Sequence, residues 1–127
     1  MERQTFRKSE RLSSPKIITH LFEKGKSLNC FPYKALWDKE AVASKFPVQV
    51  CIAVPKKSFR KAHDRNRIKR KVREAYRKNK TSLYTALKEK NVKISLLLIY
   101  VAKEDLPYTD IENKMIALIA QLNKNVA

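Results

Sequence analysis

Glycine is almost absent from this chain: Gly25 is the single one among 127 residues. A phosphate-cradling loop needs several glycines at fixed spacing so that backbone can approach the ligand, so P-loop and dinucleotide-binding classes are excluded. Cysteine is scarce too. Cys30 and Cys51 stand far apart with no CxxC pair, which argues against a zinc site. Both fall in apolar, strand-like runs, read as small core residues, and fit a reducing, cytoplasmic setting. Only two histidines are present, His20 and His63. His63 adjoins Asp64, but adjacency in sequence is not catalytic geometry, and no catalytic residue is expected. The carboxylates show no metal-ligand spacing, so no protein-bound metal is expected. Long apolar runs are missing as well. The longest, 94–102, contains Ser95 and falls far short of the roughly 20 residues a membrane-spanning helix needs. The polar start, Met1 to Lys8, leads into no apolar stretch, so no signal peptide is expected.

Acidic residues are the last shortage: 12 Asp and Glu face 29 Lys and Arg, for a formal charge of +17. That balance bears on partners rather than fold, and nucleic acid is the commonest polyanion. An anionic membrane is the rival. The charge is concentrated. Residues 56–80 hold thirteen cations against Asp64 and Glu74, a net +11. The length and a 43% hydrophobic fraction suit one domain with a modest core. We expect a basic, loosely ordered tail over 1–12 and a single RNA-binding domain over 13–127.

Ser13-Ser14-Pro15 signals a helix start. Ile17, Ile18, Leu21 and Phe22 repeat at helical spacing, and Gly25 stands where a left-handed stop is wanted, so a short helix is expected over 15–24. Leu28–Asp38 reads as extended and is interrupted early by Pro32. A turn over 41–47 precedes an alternating strand at 48–54, closed by Pro55. Arg65–Lys78 is the clearest helix, with Asp64 as its cap and an apolar stripe of Ile68, Val72, Ala75 and Tyr76. Thr81–Lys90 reads as a further short helix. Lys93–Ala102 reads as a strand buried on both faces. Thr109 with Glu112 forms a capping box that opens a last helix, whose stripe is Ile111, Met115, Leu118, Ile119 and Leu122. The two strands at 48–54 and 93–101, joined by a long helical segment, form a βαβ crossover.

Burying the Ile68 stripe dictates what the basic helix shows outside. With Ile68 at zero, Arg70, Arg73 and Arg77 fall between about 140° and 200°, Asn66 lies beside them and Arg67 near 260°. Guanidinium forks match phosphate oxygens in pairs and also stack on unpaired bases. A solvated helix face usually mixes charges, whereas Glu74 is the one acid after the cap. The stripe is narrow and contains Ala75, which suits a soluble core better than a membrane surface. A structural ribosomal-type RNA-binding protein, or a DNA-binding module with this helix in a major groove, would share the same pattern.

Arg65-Asn66-Arg67-Ile68-Lys69-Arg70, with Val72, Arg73 and Tyr76 after it and Val54, Lys56-Lys57 and Arg60-x-Ala62-His63 before it, resembles the signature of the ribonuclease P protein family. The coarse resemblance spans about 10–124. It implies an α/β fold, an α+β two-layer sandwich in the order α-β-β-β-α-β-α. Its four-stranded mixed sheet would have a left-handed crossover through the basic helix, against the usual preference. It implies a catalytic RNA as partner, precursor tRNA as substrate, and removal of the 5′ leader. Magnesium would act at the RNA's active site. A monomeric free protein and no membrane are expected. Lys56, Lys57, Arg60, Lys61, His63, Arg65, Asn66, Arg67, Lys69, Arg70, Arg73 and Arg77 would meet the catalytic RNA. The leader would lie between the first helix and the sheet, on Ile18, Phe22, Lys34 and Leu36, with Tyr33 and Trp37 there instead if the register shifts by one. Members of the family often carry phenylalanine where Ile18 stands, so one stacking platform is aliphatic here.

Overall fold

The computed structural model describes residues 11, 12, 14–39 and 47–126; tail residues 1–10 and all but Pro47 of the turn expected over 41–47 lie outside them. The first helix, α1 (Pro15–Lys24), starts as its sequence implies. Ser14 accepts a hydrogen bond from the Ile17 N–H at 3.5 Å, and Pro15 occupies the first turn. It stops at Gly25, but not through a left-handed turn: φ is −67° and ψ 152°, extended backbone. Space rather than φ requires the glycine, because a Cβ there would sit 2.4 Å from the Leu21 carbonyl oxygen.

Pro32 splits the expected extended stretch into a hairpin, β1 (Lys26–Cys30) and β2 (Tyr33–Lys39), through a cis Phe31–Pro32 bond. Next come β3 (Val48–Ala53), α2 (Ala62–Asn79), α3 (Thr81–Lys90), β4 (Ile94–Tyr100) and α4 (Tyr108–Val126). The crossover therefore carries two helices, meeting at Lys80. Asn91 ends α3 with φ 54°, a left-handed position that asparagine tolerates. Two helix starts differ from expectation. Helix α2 begins at Ala62, because the Lys61 carbonyl already accepts the Asp64 and Arg65 N–H groups at 3.1 and 3.2 Å. Asp64 thus lies inside the first turn, where its charge still suits the helix N-terminus, and no side chain caps the helix. Helix α4 begins at Tyr108, with the Pro107 carbonyl accepting from Asp110 and Ile111. Thr109 is therefore two residues too late to cap it, and Glu112 instead receives the Asn79 amide and the Tyr108 hydroxyl.

The sheet order is β1-β2-β4-β3, antiparallel except for the parallel β3–β4 pair. This is an α+β fold with a four-stranded mixed sheet, and apolar β4 is central and buried on both faces. One face (Tyr33, Ala35, Trp37, Val48, Val50, Leu96, Leu98) packs against the stripes of α2, α3 and α4, and forms the main core. The Tyr33 hydroxyl donates to the Ile111 carbonyl at 2.9 Å, and burial pushes its pKa well above the ordinary value. The opposite face carries α1, with Leu21, Leu36, Leu97 and Leu12 as a second cluster. Leu12 lies at the inner end of the expected tail. It is buried, its N–H donates to the Val50 carbonyl at 2.8 Å, and Arg11 bridges to Val50, so the chain covers the outer edge of β3. No described helix is long and apolar enough to cross a membrane.

Candidate nucleic-acid interface

Helix α2 is anchored by Ile68, Val72, Ala75 and Tyr76, all fully buried. Its opposite side is consequently turned out: Asn66, Arg70 and His63 are exposed, and Arg73 is half-buried. The loop before the helix carries Lys56, Lys57, Arg60 and Lys61, all exposed. None of those four side chains, nor that of Arg70, has an ion-pair partner among the described residues. Unneutralised cations this dense repel one another and favour a polyanion.

Not every cation of the motif is available. Arg65 turns back, its Nη1 donating to the carbonyls of Phe59 and Arg60 at 2.7 and 2.8 Å. It thereby clasps the basic loop onto α2. Arg67 Nε donates to Asp105 at 2.7 Å and its Nη2 to Asp64 at 3.2 Å, yet Arg67 keeps 45% of its side chain exposed. Lys71 reaches the other oxygen of Asp105 at 2.7 Å. Partial burial alone would raise the Asp105 carboxyl, but the hydrogen bonds from Lys71 and Arg67 outweigh it and hold it below its ordinary value. Arg77 is paired with Glu74, whose carboxyl is lowered by that hydrogen bond. Arg73 has a shielded Nε with no partner among the described residues.

The second surface lies across β3. Because side chains alternate along β2, Lys34, Leu36 and Asp38 share the face under α1, while Tyr33, Ala35 and Trp37 share the other. Tyr33, and Trp37 with it, is therefore removed from the α1 side: each is buried in the main core at 1% and 2% exposure. Leu36 is on the α1 face but only 7% exposed. Phe22 is 61% exposed, Lys34 is exposed and Ile18 half-buried. Beside them Cys51, Ala53 and Ile99 are half-buried and pack against the Leu21–Leu36–Leu97 cluster, an apolar strip that sequence reasoning missed. The parallel register Cys51↔Leu97 and Ala53↔Ile99 assembles it, and nothing local in sequence announces it. Burial pushes the Cys51 thiol up while the Lys69 ammonium pulls it the other way. Lys69 is thus within electrostatic reach of Cys51. His20 holds α1 to the sheet, its Nε2 lying 2.8 Å from an Asp38 carboxylate oxygen.

A family model described as Ribonuclease P matches residues 6–123. The chain belongs to the ribonuclease P protein family. A ribonuclease P protein component from Porphyromonas gingivalis is 32% identical over 119 residues, covering 94% of this chain and 87% of that protein. One from Chlorobium phaeobacteroides is 39% identical over 101 residues, covering 77% and 69%. Among solved structures, the ribonuclease P protein of Thermotoga maritima matches at 25% identity with a TM-score of 0.69, covering 88% of this chain and 96% of that one. The Staphylococcus aureus ribonuclease P protein matches at 19% identity and a TM-score of 0.70, covering 91% and 95%, and supports the fold alone. Ribonuclease P proteins are components of a tRNA-processing ribonuclease, and the basic helix of this chain lies within the matched residues.

Proposed function

We propose that this chain binds the catalytic RNA of ribonuclease P through the outer side of α2 and its preceding loop. The precursor's single-stranded 5′ leader lies in the cleft between α1 and the sheet. The observation that carries the reading is the outward ridge of Asn66, Arg70 and the loop cations, displayed because the opposite side of α2 is buried in the core. Phosphates of the RNA satisfy charges that the protein leaves uncompensated, and binding releases the counterions they hold. In the cleft, exposed Phe22 offers a stacking face, Lys34 a phosphate contact, and Ile18, Cys51, Ala53 and Ile99 an apolar floor. Arg65 contributes by holding the loop, and Tyr33 by packing the core; neither is assigned an RNA contact.

Cleavage itself falls to the RNA and its magnesium ions, which would polarise the scissile phosphate and activate water there. The carboxylates beside the basic helix, Asp64 and Asp105, are both engaged by Arg67 and are poorly suited to ligate a metal. The protein's task is affinity and positioning. Reconstitution tests this. The chain should lower the magnesium concentration at which a bacterial ribonuclease P RNA removes the leader from precursor tRNA. Stimulation no greater than that by an unrelated basic protein would refute the proposal and favour a purely structural RNA-binding role.

A further inference from the structure

Arg67 is held by a residue from a distant part of the chain. Asp105 lies in the connection between β4 and α4, 38 positions away, and accepts from Arg67 Nε with one oxygen and from Lys71 Nζ with the other, both at 2.7 Å. Lys71 is further fixed by the Leu106 carbonyl at 3.1 Å. Isolated surface ion pairs contribute little. This one differs, because the carboxylate is 22% exposed and each oxygen serves a different cation.

The guanidinium geometry shows what the arrangement achieves. Nε and Nη2 are both engaged, by Asp105 and Asp64. Nη1 has no partner among the described residues. Nη1, at the tip of the fork, is the group left to donate to a phosphate oxygen. We infer that Asp105 is a positioning residue for RNA binding: it locks the Arg67 guanidinium so that its Nη1 is presented to an RNA phosphate, and it holds Lys71 back from that position. The inference rests on the proposed RNA-binding role of the α2 ridge and adds a residue outside the motif.

Bare electrostatics makes the opposite forecast, since deleting a carboxylate beside a polyanion site should tighten binding to any RNA. The test measures affinity for ribonuclease P RNA against salt concentration for the full chain, Asp105→Ala, Arg67→Ala and the double variant, with thermal unfolding followed in parallel. Asp105→Ala should weaken binding by about five- to tenfold and lower the log–log salt slope by about 0.7–0.9, as Arg67→Ala does. The double variant should bind no worse than Arg67→Ala alone, and Asp105→Glu should recover part of the loss. If Asp105→Ala unfolds, Asp105→Asn, which keeps the shape without the charge, carries the same expectation. Equal or tighter binding with a full slope in the Asp105 variants, while Arg67→Ala loses affinity, would overturn the inference alone. An unchanged slope in Arg67→Ala would also overturn the inference, and the same result in Arg70→Ala would remove the ridge reading itself.

Discussion

Gly25 and Tyr33 show how far single residues can be read. Gly25 was legible as a helix stop, but its reason was not, because the constraint is a Cβ position 2.4 Å from a carbonyl one turn back. Gly25→Ala should therefore destabilise the fold by about 1–3 kcal/mol through steric strain, measured as a lowered urea midpoint. A neutral Gly25→Ala would mean that α1 can shift freely. Tyr33 was ambiguous in sequence because both faces of β2 carry apolar residues, Leu36 on one and Ala35 and Trp37 on the other, so a period of two did not choose the side. Its buried hydroxyl on the Ile111 carbonyl implies that Tyr33→Phe costs about 1 kcal/mol of stability. Affinity for precursor tRNA should not change. A loss of that affinity at full stability would return Tyr33 to the leader site.

Helix α1 is the element in which structure and proposed binding separate most cleanly. Leu21 is fully buried and its neighbour Phe22 is 61% exposed. Leu21→Ala should cost about 3 kcal/mol of stability. Phe22→Ala should stay within about 0.5 kcal/mol. Phe22→Ala should nevertheless reduce the preference for precursor over mature tRNA by about 1 kcal/mol or more, the scale of one stacked base. Equal losses for both RNAs would place Phe22 outside the leader path. The His20–Asp38 contact adds a pH dependence. The His20 hydrogen bond holds the Asp38 carboxyl below its ordinary 3.8. The contact therefore stabilises fully above that value and is lost as pH falls through the lower, folded-state value. Asp38→Asn should be less stable than the parent chain by about 0.5 kcal/mol at neutral pH, after allowing for solvent screening, and the gap should close in acid. A gap that persists at low pH would assign the loss to packing. The basic helix itself was legible because its apolar stripe and charged face both follow the 3.6 period. Its start was misplaced because Asp64 looks like a cap while Ala62 and His63 carry no apolar signal.

At the scale of the molecule, the parallel β3–β4 register gathers Cys51, Ala53 and Ile99 on the sheet face that carries α1. The cations of the α2 surface were visible as a dense segment of sequence, since charge concentration needs no tertiary information. Its carboxylate partner was not, because Asp105 meets Arg67 across 38 residues and only after the crossover has closed. The crossover also places the buried stripe of α2 against the main core, so the charged side of that helix has nowhere to go but outward. Whether that outward side grips the catalytic RNA is measured most directly by the salt dependence of binding to ribonuclease P RNA in Arg70→Ala, which alters neither the core nor any described ion pair. The expected result is weaker binding with the log–log slope reduced by about 0.7–0.9 and unchanged thermal stability. Parent-like affinity and slope would contradict it, because the ridge would then lie away from the RNA.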